Sequence, residues 1–227
     1  MILYTSEYEE INAIEALMLE KFRSEPFHNL KLLYGSKIKV DLPGGTCSDK
    51  TLSFLSAAKK SGFDASLHSG SIGGKEIHRL AKIDLSNRRF FADVGNGWPS
   101  LRLYPAYEAI SFECFGMRFR TEISGSVLSV YHLKQGKEAL QLEIDVRDQP
   151  EDKIKADIEA RFNSGIIYPF SSSIRLSQII DDDFLFLRGE RLEIYSNDER
   201  KIIEGINDLN FHQIVKKHFG YDVFSRF

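Results

Sequence analysis

Long apolar runs are missing from this sequence. No segment approaches the roughly 18 uninterrupted apolar residues that a membrane-spanning helix needs, so no membrane is expected. The first residues, MILYTSEYEEINAIEAL, have no basic stretch and turn acidic at once, so they do not read as a secretory signal. An excess of one charge is missing too. Thirty basic residues against 33 acidic ones leave a net charge of −3, and no stretch is basic enough to track a phosphate backbone, so nucleic acid is not an expected partner. Cysteine is scarce. Two residues, Cys47 and Cys114, make no disulfide framework, and the expected compartment is a reducing cytoplasm. His, Cys and carboxylate residues do not recur at metal-ligand spacing, so no metal is expected. There is no Walker motif, and Gly70-Ser71-Ile72-Gly73-Gly74 is a flexible loop rather than a dinucleotide-binding fingerprint.

What is present is an ordinary globular balance: 227 residues, 42% hydrophobic and 28% charged. That length supports one compact unit or two intimately packed lobes with a real core. Residues 7–23 read as an amphipathic helix, with Ile11, Ile14, Leu17, Met18 and Phe22 at helical spacing and Glu7, Glu9 and Glu10 at its favourable end. Pro43-Gly44-Gly45 is a turn. Thr46 with Asp49 three residues on makes a capping box, and the spacing then predicts a helix over 47–60 that stops at Ser61-Gly62. The middle of the chain is strand-like. Residues 65–69 are short; residues 76–85 and 89–94 form a hairpin around Ser86-Asn87; 112–120, 126–133 and 140–146 follow. Helix returns over 150–162, with Ile154, Ile158 and Phe162 in register. Strands are expected at 174–180, 184–187 and 191–195, and a last helix at 209–219 stopped by Gly220. This order reads as an α+β fold. It divides into a helical lobe (1–64), an antiparallel β-barrel or sheet lobe (65–148) and a smaller mixed lobe (149–227), packed as one unit.

Two features carry chemistry. Cys47 falls at the start of the second helix, where unpaired N–H groups and the positive end of the helix dipole favour a thiolate. The plainer alternative is a small core residue under a helix end. His78 and Asp93 lie fifteen residues apart on the two arms of the expected hairpin. With an even-numbered loop, residues at an odd separation share a sheet face: directly opposite across a two-residue loop, or diagonal across a four-residue one. A carboxylate in that position fixes an imidazole's tautomer and stabilises its charged form. Taken singly, His78 also reads as a half-exposed strand residue and Asp93 as a turn former. Of the other histidines, His28 has no carboxylate at useful spacing, and His68, at the end of a short strand, is the substitute base. His132, His212 and His218 read as ordinary positions. Cys114 reads as core. Trp98, the single tryptophan, is either packing or a pocket wall.

Three segments in order, Gly44-Gly45-Thr46-Cys47, His78-Arg79-Leu80 and Asp93-Val94-Gly95-Asn96-Gly97, resemble the arylamine N-acetyltransferase family. Pro26-Phe27-His28-Asn29-Leu30 and Lys60-Ser61-Gly62-Phe63-Asp64 are similar to further segments of it. Asn163, Pro169 and Ser172, with Phe219-Gly220, echo it more loosely. Leu42-Pro43 stands where the family has an arginine before Gly-Gly, and Ser48-Asp49 follow the cysteine where it has Phe-Glu or a similar pair. The resemblance implies a papain-like or transglutaminase-like core with a Cys47-His78-Asp93 triad. It implies ping-pong transfer of an acetyl group from acetyl-CoA through acetyl-Cys47 to a small aromatic amine or hydrazine. Acetyl-CoA is then a cosubstrate and no cofactor is held permanently. Phe27, Gly95, Gly97 and Trp98 become the substrate-binding candidates, and the Cys47 backbone N–H a candidate oxyanion donor. Two alternatives stay open: a related triad enzyme with another acyl donor (an amide synthase, a transglutaminase-like enzyme or a thiol hydrolase), and a non-catalytic relative.

Overall fold

The computed structural model describes residues 7–34, 42–161, 168 and 170–222. Helix α1 (Glu7–Ser24) opens the chain, with Glu7, Glu9 and Glu10 in its first turn and Lys21 and Arg23 in its last, as the helix dipole favours. Its buried stripe of Ile14, Met18 and Phe22 lies against α3 (Cys47–Lys60). Between them come the two-residue strand β1 (Phe27–His28) and the short helix α2 (Leu30–Tyr34).

Helix α3 starts where its capping chemistry dictates. The backbone N–H and the hydroxyl of Thr46 both donate to Asp49 Oδ2, each at 2.9 Å. The other Asp49 oxygen accepts from Arg161 at 2.7 Å. One face of α3 is sealed by Phe54 and Ala58, neither of which exposes any surface; burying a phenylalanine in this way contributes about 1.5–3 kcal/mol. Lys50, on the same helix, is buried as well. Its ammonium donates to the carbonyls of Lys21 (3.2 Å) and Glu25 and lies over the Phe22 ring, so it closes the C-terminal end of α1.

An eight-stranded antiparallel sheet follows, in the order β5-β4-β3-β2-β9-β8-β7-β6. Its strands are β2 (Asp64–Ile72), β3 (Lys75–Leu85), β4 (Arg88–Ala92), β5 (Tyr104–Pro105), β6 (Ser111–Cys114), β7 (Met117–Ser124), β8 (Val127–Lys134) and β9 (Lys137–Asp145). Along the middle of β3 and β4 both faces are buried. Ala81, Ile83, Phe90 and Ala92 join the core under α1 and α3, while Leu80 and Phe91, on the alternate face, join a second core with Leu128, Leu142 and Ile144. The sheet curls at a bulge between Gly70 and Ile72, where β2 leaves β3 and pairs with β9 through Ser71 and Glu143. A Cβ at Gly70 would stand 2.6 Å from Leu142 Cδ1 and 3.2 Å from the Glu143 carbonyl, so β9 packs closely on the strand there.

Helix α4 (Glu151–Ala160) packs Ile154 and Ile158 beside β2. The second sheet has the order β1-β10-β11-β12-β13, with β10 (Arg175–Ile180), β11 (Asp183–Arg188), β12 (Arg191–Tyr195) and β13 (Arg200–Ile203). Helix α5 (Phe211–Phe219) covers one face of it with Phe211, Val215 and Phe219. The segment of Phe27 and His28 therefore belongs to the sheet of the C-terminal strands, paired with Ser177 and Leu176.

The α+β class expected from the sequence is the class observed. Several elements differ in detail. The single strand expected over 112–120 is a hairpin, β6 and β7, turning at Phe115-Gly116, where both residues have positive φ. The short strand expected at 65–69 extends over Asp64–Ile72, because β3 pairs with it from Asp64 to Ile72. Strands β1, β5 and β13 went unseen, each being four residues or fewer with little local pattern. The last helix starts at Phe211 rather than 209, leaving Leu209 exposed. Phe162, Asn163 and Pro169 lie outside the described residues.

Asp49→Ala removes the acceptor for both Thr46 donors and for Arg161. The expected loss is about 1–2 kcal/mol, read as a lower urea midpoint at unchanged slope. A midpoint equal to that of the parent would show that the cap is not what starts α3.

Candidate active site

The loop before Cys47 is held from both sides. His28 N–H donates to the Gly45 carbonyl at 2.9 Å, and Gly45 N–H donates to the Pro26 carbonyl at 3.2 Å. Gly44 has φ +83, and a Cβ on it would lie 2.1 Å from the Pro26 oxygen, so no other residue fits that turn as built. Cys47 is then the first residue of α3, buried, with its sulfur 3.8 Å from the Ile77 carbonyl. Thr51, one turn on, donates to the Arg79 carbonyl at 2.9 Å. The start of the helix is thus fastened to the strand that carries His78.

The hairpin of β3 and β4 turns through Ser86-Asn87, both at positive φ, with Leu85 opposite Arg88. The ladder closes at Ala81 opposite Ala92, one residue before Asp93. His78 and Asp93 are therefore diagonal across a two-residue loop, neither directly opposite nor separated by a four-residue loop. The turn sits one residue further along than a directly opposite pair would require. The consequence expected of the pair holds nonetheless: His78 Nε2 lies 2.7 Å from Asp93 Oδ1, with both side chains almost wholly withdrawn from solvent. Asp93 Oδ2 accepts from Asn96 Nδ2 at 3.0 Å, and Asn96 Oδ1 accepts from the Trp98 N–H at 3.2 Å. Both carboxylate oxygens are thus held.

Cys47 and His78 line the same pocket and lie near enough for each to shift the other's proton affinity. With Nε2 turned to Asp93, Nδ1 is the nitrogen left for the thiol. Burial opposes a charge on either group. For His78, the nearby Asp93 carboxylate and its hydrogen bond outweigh burial and raise the imidazole above its ordinary value. For Cys47, burial is outweighed by the hydrogen bond and charge of His78, with help from Arg79, and the thiol falls below its ordinary value. The two directions agree: the site favours a thiolate beside an imidazolium. Gly95 makes this closeness possible. A Cβ there would stand 2.8 Å from the Arg79 carbonyl and equally near Cys47 Cα and Cβ.

These side chains face a pocket of about 190 Å³. Phe27, Gly95, Gly97 and Trp98 all line it, together with Cys47 and His78. Trp98 plays both parts that the sequence left open. It meets Phe186 edge-on at 4.6 Å in the pocket wall, and it packs against His132 with the Lys134 ammonium 3.8 Å from its ring centre. The far wall comes from the second sheet, with Arg175, Phe186 and nearby Phe170. Ser177 of β10 donates to the Gly97 carbonyl at 2.8 Å and joins that wall to the turn after Asp93. Nothing local to Arg175 or Phe186 marks them in the sequence. Asn96 was visible inside its motif, but only as a turn residue.

The other candidates lie elsewhere. His68 is in the middle of β2 rather than at a strand end; its Nε2 is 2.8 Å from the Asp145 carbonyl, and it does not line the pocket. His28 is buried beside the glycine turn, and burial lowers it to about 4, which makes it neutral. His132 is stacked on Phe119 and lowered by burial to about 4. Cys114 donates to the Pro99 carbonyl at 3.0 Å, and burial pushes its thiol up to about 12, the opposite of Cys47. Among the described residues no group of three or more His, Cys, Asp or Glu side chains is placed to hold a metal ion, and no helix is long and apolar enough to cross a membrane.

No protein-family model matches the chain, and no curated protein matches it in sequence. Solved structures do match it. An arylamine N-acetyltransferase from Nocardia farcinica aligns over 96% of this chain and 85% of its own, at 19% identity and a TM-score of 0.77. The Mycobacterium marinum arylamine N-acetyltransferase in complex with CoA aligns over 97% and 90%, at 14% identity and a TM-score of 0.78. A Bacillus cereus arylamine N-acetyltransferase, described as having a Cys-His-Glu catalytic triad, aligns over 92% and 90%, at 17% identity and a TM-score of 0.73. The likeness extends over nearly the whole chain, and it is one of architecture: this protein has the fold of the arylamine N-acetyltransferases.

Proposed function

We propose that this protein is a cysteine-dependent N-acyltransferase that moves an acetyl group from acetyl-CoA to a small aromatic amine or hydrazine. The observation that carries the reading is the buried 2.7 Å contact of His78 with Asp93 in the wall of an aromatic-lined pocket that Cys47 also lines. The fold supports it, and so does the presence of CoA in one structure of the same fold.

In this reading the Cys47 thiolate attacks the thioester carbonyl of acetyl-CoA. The carbon–sulfur bond to CoA breaks, His78 gives its proton to the departing CoA thiolate, and acetyl-Cys47 remains. The amine nitrogen then attacks the acetyl carbonyl, His78 takes the nitrogen's proton, and the Cys47 thiolate leaves. Asp93 holds His78 with its Nε2 proton bound, so that Nδ1 stays available on the thiol side. Asn96 positions Asp93. The backbone N–H of Cys47, unpaired at the helix start, is the candidate donor to the oxyanion in both halves. Phe27, Trp98, Gly95 and Gly97 shape the space for the aromatic acceptor. A hydrolase with the same residues would need no acceptor pocket; the apolar enclosure suits an amine that competes with water.

Acetyl-CoA alone is expected to leave an acetyl mass on the peptide containing Cys47 and to release one equivalent of free CoA thiol. Cys47→Ser should give neither. An intact protein that remains unacetylated would overturn acetyl-CoA as donor and point to another acyl group. Asp93→Asn is expected to lower the transfer rate by more than about tenfold, because the amide favours the wrong imidazole tautomer; unchanged kinetics would reduce Asp93 to a structural role.

The lowered Cys47 and raised His78 also set a pH dependence. Because the thiolate persists below the range of a free thiol, the rate of alkylation by iodoacetamide should stay level as pH falls through about 8.5. It should decline only when the thiolate itself is protonated at lower pH. A rate that drops about tenfold per unit directly below that value would show an ordinary thiol and refute the ion pair.

A further inference from the structure

Three arginines stand in a row across the second sheet. Arg175 of β10 is paired with Arg188 of β11, and Arg188 is paired with Arg191 of β12. Paired positions project to the same face, so like charges stand side by side, which destabilises a sheet unless something answers them. Glu193 answers part of the row. Its carboxylate is 1% exposed and holds Arg188 in close contact, with Arg191 at 3.6 Å and Arg200 at 3.4 Å. Arg175 is left over. Its buried Nε has no hydrogen-bond partner among the described residues, and no carboxylate pairs with it there. Burial and the neighbouring Arg188 charge both work against its cation.

Arg175 is also well positioned. Its backbone N–H donates to Asn29 Oδ1 at 2.8 Å, and the Asn29 amide donates to the carbonyls of Phe170 (2.5 Å) and Ser173 (2.8 Å). The residue lines the same pocket as Cys47 and His78. A half-buried guanidinium without a counter-charge, in the wall of a pocket that holds an activated thiol, is built to receive an anion.

We propose that Arg175 is a specificity-determining residue that binds a carboxylate carried by the small substrate reacting at Cys47, on the acceptor amine or on the acyl group. The planar fork of the guanidinium matches a carboxylate in bidentate geometry. The phosphates of CoA fit this position poorly, since the pantetheine arm keeps them many bonds from the thioester while Arg175 shares the pocket of the sulfur. The proposal deepens the acyltransferase reading, on which its substrate assignment rests, but its first test needs no acyl donor.

That test compares alkylation of Cys47 by iodoacetate with alkylation by iodoacetamide, which differ in a carboxylate against a neutral amide. Dividing one rate by the other cancels any change in the thiolate. Arg175→Gln is expected to lower the iodoacetate-to-iodoacetamide ratio by about tenfold, the loss of one charge-assisted hydrogen bond; Arg175→Lys should fall between. A ratio that Arg175→Gln leaves unchanged overturns the subsite. Turnover then identifies the carrier. With acetyl-CoA, a selective loss of kcat/KM for 4-aminobenzoate relative to 4-methylaniline puts the carboxylate on the acceptor. With 4-methylaniline, a selective loss for succinyl-CoA relative to acetyl-CoA puts it on the acyl group. Equal losses for charged and neutral members of both pairs overturn the proposal. A protein that turns over none of these pairs yet keeps the alkylation contrast sinks the acyltransferase reading and leaves the anion subsite standing.

Discussion

The arrangement of the site depends on a glycine that leaves no room for a side chain. The turn after Asp93 passes so close to the first residue of α3 that a Cβ at Gly95 would collide with Cys47 and with the Arg79 carbonyl at once. That approach brings a strand-borne imidazole and a helix-borne sulfur together. The imidazole is then fixed by a carboxylate with no exposed side-chain surface, itself held by Asn96. A buried carboxylate bonded on both oxygens costs desolvation that only a well-placed cationic partner offsets. Here the partner is the His78 ring, whose proton affinity is raised by Asp93 and which in turn lowers the Cys47 thiol. Removing either His78 or Asp93 leaves the other a buried polar group without its partner.

The second sheet has a different part. It supplies neither sulfur, imidazole nor carboxylate, yet it closes the pocket. Phe186 meets Trp98, Ser177 fastens the Gly97 turn, and Arg175 sets a positive charge in the wall. The first strand of that sheet, Phe27–His28, comes from the N-terminal segment and also pins the glycine turn before Cys47. One short strand therefore couples the position of Cys47 to the position of the far wall. Two dissimilar layers, a curled sheet and a flanking sheet, meet at the start of one helix.

Much of this was legible beforehand, and each legible part has a local cause. The start of α3 was readable because a capping box acts over three residues and the Gly44-Gly45 turn precedes it directly. The His78–Asp93 contact was readable because a hairpin with a two-residue loop makes spacing and facing equivalent. The register was less readable. Ser86-Asn87 was seen as the turn, but the ladder it sets makes the pair diagonal, a shift of one residue that facing parity does not detect. The hairpin at Phe115-Gly116 was missed because the apolar run continues through the turn, so alternation alone did not interrupt the strand.

What the sequence determined by itself is two segments: a cysteine opening a capped helix, and a histidine and an aspartate borne by one hairpin. Those are short-range consequences of turn chemistry and side-chain period. Tertiary structure alone decided the rest: the pairing of Phe27 with Ser177, the placement of Phe186 against Trp98, and the row of Arg175, Arg188 and Arg191, of which Arg175 lines the pocket that Cys47 also lines. The physical reason is that pairing between distant strands is chosen by the total burial and hydrogen bonding of the assembled sheets. No local spacing records which side chains that choice brings into one pocket.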